Sequence, residues 1–86
     1  MSDDPIPPRI LDVKGLHCPL PILRTRKTLN GMTEGEELVV YVTDPASGID
    51  FRHFCNTSPH QLLEAGREGE VFIYRIRCGG AKPAGS

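Results

Sequence analysis

The chain has 86 residues, room for one small domain and no second. Apolar residues make up 38% and charged residues 24%, the balance of a folded soluble domain, which excludes the intrinsically disordered class. The formal net charge of −1 supplies no global basic field, so direct nucleic-acid binding is not expected, and no apolar run reaches the length of a membrane span.

Met1–Pro8 holds three prolines and two aspartates and reads as an extended, disordered lead-in. It shows no signal-peptide pattern, so the cytoplasm is the expected compartment. The folded domain is expected over residues 9–78, with residues 79–86 as a flexible, glycine-rich tail. Ile10–Val13 is a short first strand, broken by Gly15. A helix is expected from Pro19 to about Asn30, with Ile22, Thr25, Leu29 and Met32 on one face and Arg24, Lys27 and Thr28 pointing outward. Gly31 is its stop signal.

Glu37–Thr43 is β-branched and nearly continuous in apolar character, which predicts a central strand ended by Asp44-Pro45. Asp50–Thr57 predicts a short second helix whose apolar face carries Phe51, Phe54 and Cys55. His60–Ala65 is a weakly signalled strand, Gly66–Gly69 a turn, and Val71–Cys78 the last strand, with Phe72, Tyr74 and Ile76 on one face. The order β-α-β-α-β-β predicts an α+β fold, a two-layer α/β sandwich. Its two helices would pack on one face of a four-stranded mixed sheet.

The three cysteines are an odd number with no Cys-x-x-Cys spacing, which argues against a disulfide framework in a reducing compartment. Cys18 stands apart because it opens the run Cys18-Pro19-Leu20-Pro21. Read as an N-cap, it would be followed by prolines at the first and third helical positions. Proline costs little there, because the first N–H groups of a helix have no internal partner. The two rings would stiffen the turn that presents the thiol. The helix dipole and the downstream Arg24, Arg26 and Lys27 predict a site that favours the thiolate. The effect would be modest, since Pro21 removes one N–H that could donate to the sulfur. A single exposed thiol with no resolving partner suits a persulfide, Cys–S–SH, whose outer sulfur can be handed to another thiolate. The plainer reading of Cys18 is a small buried hydrophobe that precedes a helix.

At this point the chain resembles the TusA/SirA-type sulfur-carrier family. The likeness begins at Leu11-Asp12-Val13-Lys14-Gly15-Leu16-His17-Cys18-Pro19-Leu20-Pro21 and continues through Arg26-Lys27-Thr28-Leu29 and Gly35-Glu36. It extends over Leu38, Asp44-Pro45-Ala46, Asp50, Phe54-Cys55, His60, Leu62-Leu63 and Ile76-Arg77. The resemblance implies the two-layer sandwich, with Cys18 as the sulfur-carrying residue and Gly15, Pro19 and Pro21 as its supporting motif. It implies a cysteine desulfurase or rhodanese-type sulfur donor and a sulfur-accepting protein, for tRNA thiolation, cofactor assembly or sulfur oxidation. Arg26, Lys27 and Asp44 fall where family members contact partners. No cofactor is implied beyond the covalent sulfur on Cys18, and a monomer is expected. Two departures lie on the second helix and its exit. Asp50-Phe51-Arg52 stands where the family has Asp-hydrophobe-Pro, and Pro59-His60 where it has Gly-His.

The remaining candidates have plainer readings. Cys55 reads as core packing and Cys78 as a strand-end bystander that could be exposed. Gly79-Gly80 is followed by six more residues, so a terminal thiocarboxylate would need processing. His53 and Cys55 are two apart on a helix and share no face, so with His60 they make a poor metal set. His17 reads equally as a modulator of Cys18 or a plain loop residue. Two rival functions remain at this stage. One is a non-enzymatic regulatory or RNA-binding module of the same fold. The other is a thiol redox protein, disfavoured because Cys18 has no nearby resolving cysteine.

Overall fold

The computed structural model describes residues 7–79; the greater parts of the expected lead-in and tail lie outside the described residues. Six elements follow in the order β1 (Arg9–Asp12), α1 (Leu20–Asn30), β2 (Glu37–Val42), α2 (Ser47–Asn56), β3 (Gln61–Glu68) and β4 (Val71–Arg77). They form one sheet of order β1-β2-β4-β3. β1 pairs with β2 in parallel, and β4 pairs antiparallel with both β2 and β3. This is the α+β architecture expected from the sequence.

The pairings determine the direction of the helices. β1 and β2 are parallel, so α1 must run back against them to join them. β3 is also parallel to β2, because each is antiparallel to β4. α2 must therefore run back too. Both helices begin at the same end of the sheet, the end where β1 and β2 finish.

The core lies between the sheet and the helix layer. Leu38, Val40 and Val42 of β2 and Tyr74 and Ile76 of β4 face inward and are buried. They meet Leu29 of α1 and Phe51 and Phe54 of α2. Phe51 stacks on Tyr74 with ring centroids 4.4 Å apart, and the Tyr74 hydroxyl shares a 2.8 Å hydrogen bond with Ser47, which satisfies both buried hydroxyls. On α1 the expected face is right for Thr25, Leu29 and Met32, while Ile22 is half-buried. Buried Thr25 returns its hydroxyl to the Pro21 carbonyl, 2.8 Å away, so it leaves no polar atom unpaired.

Three boundaries differ from the sequence reading by more than one residue. α2 starts at Ser47, three residues before the expected Asp50, because Ser47 and Gly48 pack under Tyr74 instead of ending the loop. β3 runs on to Glu68, so Gly66 and Arg67 are strand residues. The hairpin turn is Gly69–Glu70, with Gly69 at φ +63°, a position that favours glycine. β3 is an edge strand whose side chains are mostly exposed, so it carries little hydrophobic alternation to read. β2 is interior as expected, but its residues alternate between buried and half-buried, because helices cover only one face of the sheet.

Cys78 is fully buried, with its S–H directed at the carbonyls of Leu29 (3.5 Å) and Met32 (3.8 Å), so the bystander reading holds and exposure does not. His60 is buried as well. It stacks on Phe54, and its Nδ1 accepts the Gly79 N–H at 3.0 Å. Gly79 lies so close to Pro59 that a Cβ would stand 2.0 Å from the Pro59 carbonyl oxygen, which requires glycine there.

Burial lowers the His60 pKa below the ordinary histidine value. The unfolded chain then takes up the proton first as pH falls below about 6.5, so this contribution to stability is present above that pH and is lost through the folded-state pKa. His60→Asn keeps an acceptor for the Gly79 N–H but does not titrate. Urea denaturation of both proteins should show the stability advantage of the wild type shrinking between pH 7.5 and pH 5. A constant difference would remove His60 as the source.

Candidate functional site: the Cys18 turn

Between β1 and α1 the chain crosses the end of the sheet, and three hydrogen bonds tie it to the end of β2. The Val13 N–H donates to the Tyr41 carbonyl at 2.9 Å, the Gly15 N–H to the Thr43 hydroxyl at 2.9 Å, and the Cys18 N–H to the Asp44 carboxylate at 2.7 Å. Gly15 turns the chain at φ +86°, where a side chain would be strained; nothing crowds it, so the requirement comes from the backbone alone.

Asp44 is only 8% exposed, and both of its oxygens are occupied, one by the Cys18 N–H and the other by the Ala46 N–H at 3.1 Å. The resemblance places Asp44 among partner contacts. Its observed role is internal: it joins the Cys18 turn to the loop that enters α2.

Cys18 does not cap the helix. The residue at the cap position is Pro19, helical residues begin at Leu20, and Pro21 is the second of them. The Cys18–Pro19 peptide bond is cis. The first turn is closed by the Leu20 N–H on the His17 carbonyl (2.8 Å) and the Leu23 N–H on the Pro19 carbonyl (3.1 Å). Pro21 is buried and Pro19 exposed, so one ring anchors the turn while the other stands beside the thiol at the surface. Cys18 itself is exposed.

The electrostatics reverse the sequence expectation. The Cys18 thiol is held above the ordinary cysteine pKa. The chief cause is the nearby Asp50 carboxylate, a hydrogen-bond acceptor that favours the protonated thiol; slight desolvation and the negative charges of Asp50 and Asp44 add to it. The expected thiolate stabilisation fails because the sulfur sits outside the cap position and two carboxylates from the α2 side approach it. The cations lie elsewhere: Arg24 and Lys27 are exposed farther along α1, and the Arg26 guanidinium lies over the Phe54 ring at 5.7 Å. Asp50 is the site residue that sequence reasoning missed. In the sequence it stands out as a helix-start signal and a point of family resemblance, and only the convergence of the two helix N-termini brings it near the thiol.

The other thiols are poorly placed for chemistry. Cys55 is half-buried in α2, and burial pushes its pKa up to about 11, which leaves almost no thiolate near neutral pH. Cys78 lies at the end of β4, which is the opposite end of the sheet from Cys18. His53 is exposed and His60 is engaged with Gly79, so the two share no site with Cys55.

Two expectations follow. Asp44→Ala leaves two backbone N–H groups without their acceptor and should lower stability by about 1–3 kcal/mol in urea denaturation. A loss below that range would mean that water replaces the carboxylate. Asp50→Asn removes the carboxylate charge and should lower the Cys18 pKa, moving the pH profile of iodoacetamide alkylation to lower pH. At pH 7.5 the rate should rise roughly threefold for each unit by which the pKa falls, because the gain in thiolate is partly offset by weaker nucleophilicity. An unmoved profile would exclude Asp50 as the cause.

Comparison with known proteins identifies the family of the chain. Residues 9–78 match the family described as sulfurtransferase TusA. The sulfur carrier protein TusA of Allochromatium vinosum is 48% identical over 67 residues, which is 78% of this chain and 88% of that protein. Two Neisseria meningitidis relatives, from serogroups A and B, have names that class them provisionally as sulfur carrier proteins. Each is 48% identical over 67 residues, 78% of this chain and 90% of the relative. The matched region contains the whole described fold, from β1 through Cys78, with the Cys18 turn inside it. The chain belongs to the TusA sulfurtransferase family.

Proposed function

We propose that this protein is a cytoplasmic sulfur carrier that holds sulfur as a persulfide on Cys18 and passes it to an acceptor protein. The observation that carries this reading is the contrast among the three thiols. Cys18 is exposed on a turn anchored to β2, whereas Cys55 is half-buried with a raised pKa and Cys78 is fully enclosed. Cys18 can therefore be loaded without being resolved into an intramolecular disulfide. Membership of the TusA family supports the same chemistry.

The loading step is an exchange at sulfur. The Cys18 thiol loses its proton, and its sulfur attacks the outer sulfur of a donor Cys–S–SH. The donor S–S bond breaks as the new Cys18–S bond forms, and the donor thiolate leaves and takes up a proton. The sum is donor Cys–S–SH plus Cys18–SH giving donor Cys–SH plus Cys18–S–SH, with no net oxidation. Asp50, the carboxylate that most raises the Cys18 pKa, can take up that proton as it departs. Delivery is the same exchange with the roles reversed.

A cysteine desulfurase or a rhodanese-type enzyme fits the donor role. A thiol protein serving tRNA thiolation, cofactor assembly or sulfur oxidation fits the acceptor role. Arg26 and Lys27, both exposed on α1, are available to an acidic partner surface, as the family resemblance implies. Asp44 contributes indirectly, by fixing the turn that such a partner must approach.

Mass spectrometry of the intact protein tests the assignment. After incubation with a persulfide donor, the wild type should gain the mass of one or more sulfur atoms. Cys55→Ser and Cys78→Ala should gain it equally, and Cys18→Ser should not. Sulfur gained by Cys18→Ser would overturn the site.

A further inference from the structure

The two points at which the chain departs from the family pattern meet in space. Arg52 stands on α2 where that pattern has proline, and Pro59 follows α2 where it has glycine. Both line one open cavity of about 610 Å³ between α2 and the start of β3. The cavity lies toward the end of the sheet opposite to Cys18, because α2 runs back from the thiol end and β3 begins where α2 has finished. Its volume is that of a small-molecule site.

The polar part of the lining offers donors. Arg52 and Asn56 are four residues apart on α2, so they share a face, and both are exposed. Arg52 forms no salt bridge among the described residues, and among those residues no carboxylate lines the cavity. Gln61 adds a side-chain amide from the first residue of β3. His60 is the most telling member. It is only 6% exposed, yet it lines the cavity. Its Nδ1 accepts the Gly79 N–H, so the proton of the neutral ring is on Nε2. Nε2 has no partner among the described residues, and no side-chain polar atom there is sealed in the core without one. The Nε2–H therefore opens on the cavity as an unused donor. The ring is already fixed by Gly79 and by stacking on Phe54, so little ordering remains to oppose binding.

The rest of the lining is apolar: Pro59, Leu62 and the half-buried Cys55. Burial pushes the Cys55 pKa up to about 11, so the thiol presents a neutral sulfur and no competing negative charge.

We infer that this cavity binds a small organic anion, with its oxyanion head on Arg52 and the His60 Nε2–H and its apolar body against Pro59, Leu62 and Cys55. A guanidinium pairs with carboxylate and phosphate heads alike, since each presents two oxygens to its parallel N–H groups. Asn56 and Gln61 each have amide hydrogens to give to the same head. The site does not depend on sulfur chemistry at Cys18. A ligand touching both α2 and β3 stabilises the folded chain by mass action.

A titration followed by proton–nitrogen NMR tests the site. The probes are benzoate and phenyl phosphate, with neutral benzamide and inorganic phosphate for comparison, all at neutral pH and constant ionic strength. At least one organic anion should give saturable shifts centred on Arg52, Asn56, His60 and Gln61, and the tighter of the two identifies the head group. Benzamide and inorganic phosphate, each lacking half of the ligand, should bind more weakly. Arg52→Gln should weaken the tighter probe by about tenfold or more, the effect of losing a hydrogen bond to a charged group. His60→Asn, which keeps an acceptor for the Gly79 N–H but has no Nε2–H, should weaken it severalfold. The same probe should raise the Tm of the wild type and not that of Arg52→Gln. Resonances away from the cavity report that each variant is folded. The absence of saturable shifts with both organic anions would overturn the inference. So would benzamide or inorganic phosphate binding as tightly as the organic anions, or an affinity unchanged in Arg52→Gln.

Discussion

The hydrogen bond from the Cys18 N–H to the Asp44 carboxylate, 2.7 Å long, joins the two halves of the molecule that matter for its chemistry. One half is the turn leaving β1, and the other is the loop between β2 and α2. The same carboxylate accepts the Ala46 N–H, so a single buried side chain sets the position of the sulfur relative to the start of α2. A charged acceptor shielded from water makes stronger bonds than a neutral one. Asp44 can occupy this place because both of its oxygens are used, which offsets the cost of burying a carboxylate.

The sheet topology makes that bond possible. With β1, β2 and β3 parallel to one another, both helices must return across one face, and both must start at the same end. The sulfur thus sits where two helices begin and two strands finish. The arrangement brings the charge of Asp50 to bear on the thiol. It also separates the thiols: Cys78, on the antiparallel β4, is carried to the far end of the sheet and sealed beneath the end of α1. A carrier needs its sulfur accessible to others and inaccessible to its own cysteines, and strand direction meets both requirements.

The electrostatic setting of Cys18 suits a carrier better than a permanently activated nucleophile. A thiol held protonated by Asp50 is less prone to oxidation at rest, since oxidation follows the thiolate. The cations Arg24, Lys27 and Arg52 lie farther along the helices than the turn that carries the thiol.

Much of the fold was legible in the chain alone. The apolar run at Glu37–Val42, the spacing of Thr25, Leu29 and Met32, and the alternation of Tyr74 and Ile76 state which residues face a core, because hydrophobic periodicity is a local property. The Cys18-Pro19-Leu20-Pro21 run likewise marks a stiff turn with a thiol at its head. The edge strand β3 was poorly legible, since its residues are mostly solvent-exposed and its length is set by pairing to β4. The start of α2 was misplaced because Ser47 and Gly48 are helical through their packing under Tyr74, which lies 27 residues from Ser47 in the chain. The sequence by itself determined which cysteine heads the proline-stiffened turn and which side chains fill the core. Only the tertiary structure decided the charge environment of that sulfur. Asp44 and Asp50 are 26 and 32 residues away from it, and a thiol's proton affinity depends on what stands beside it in space.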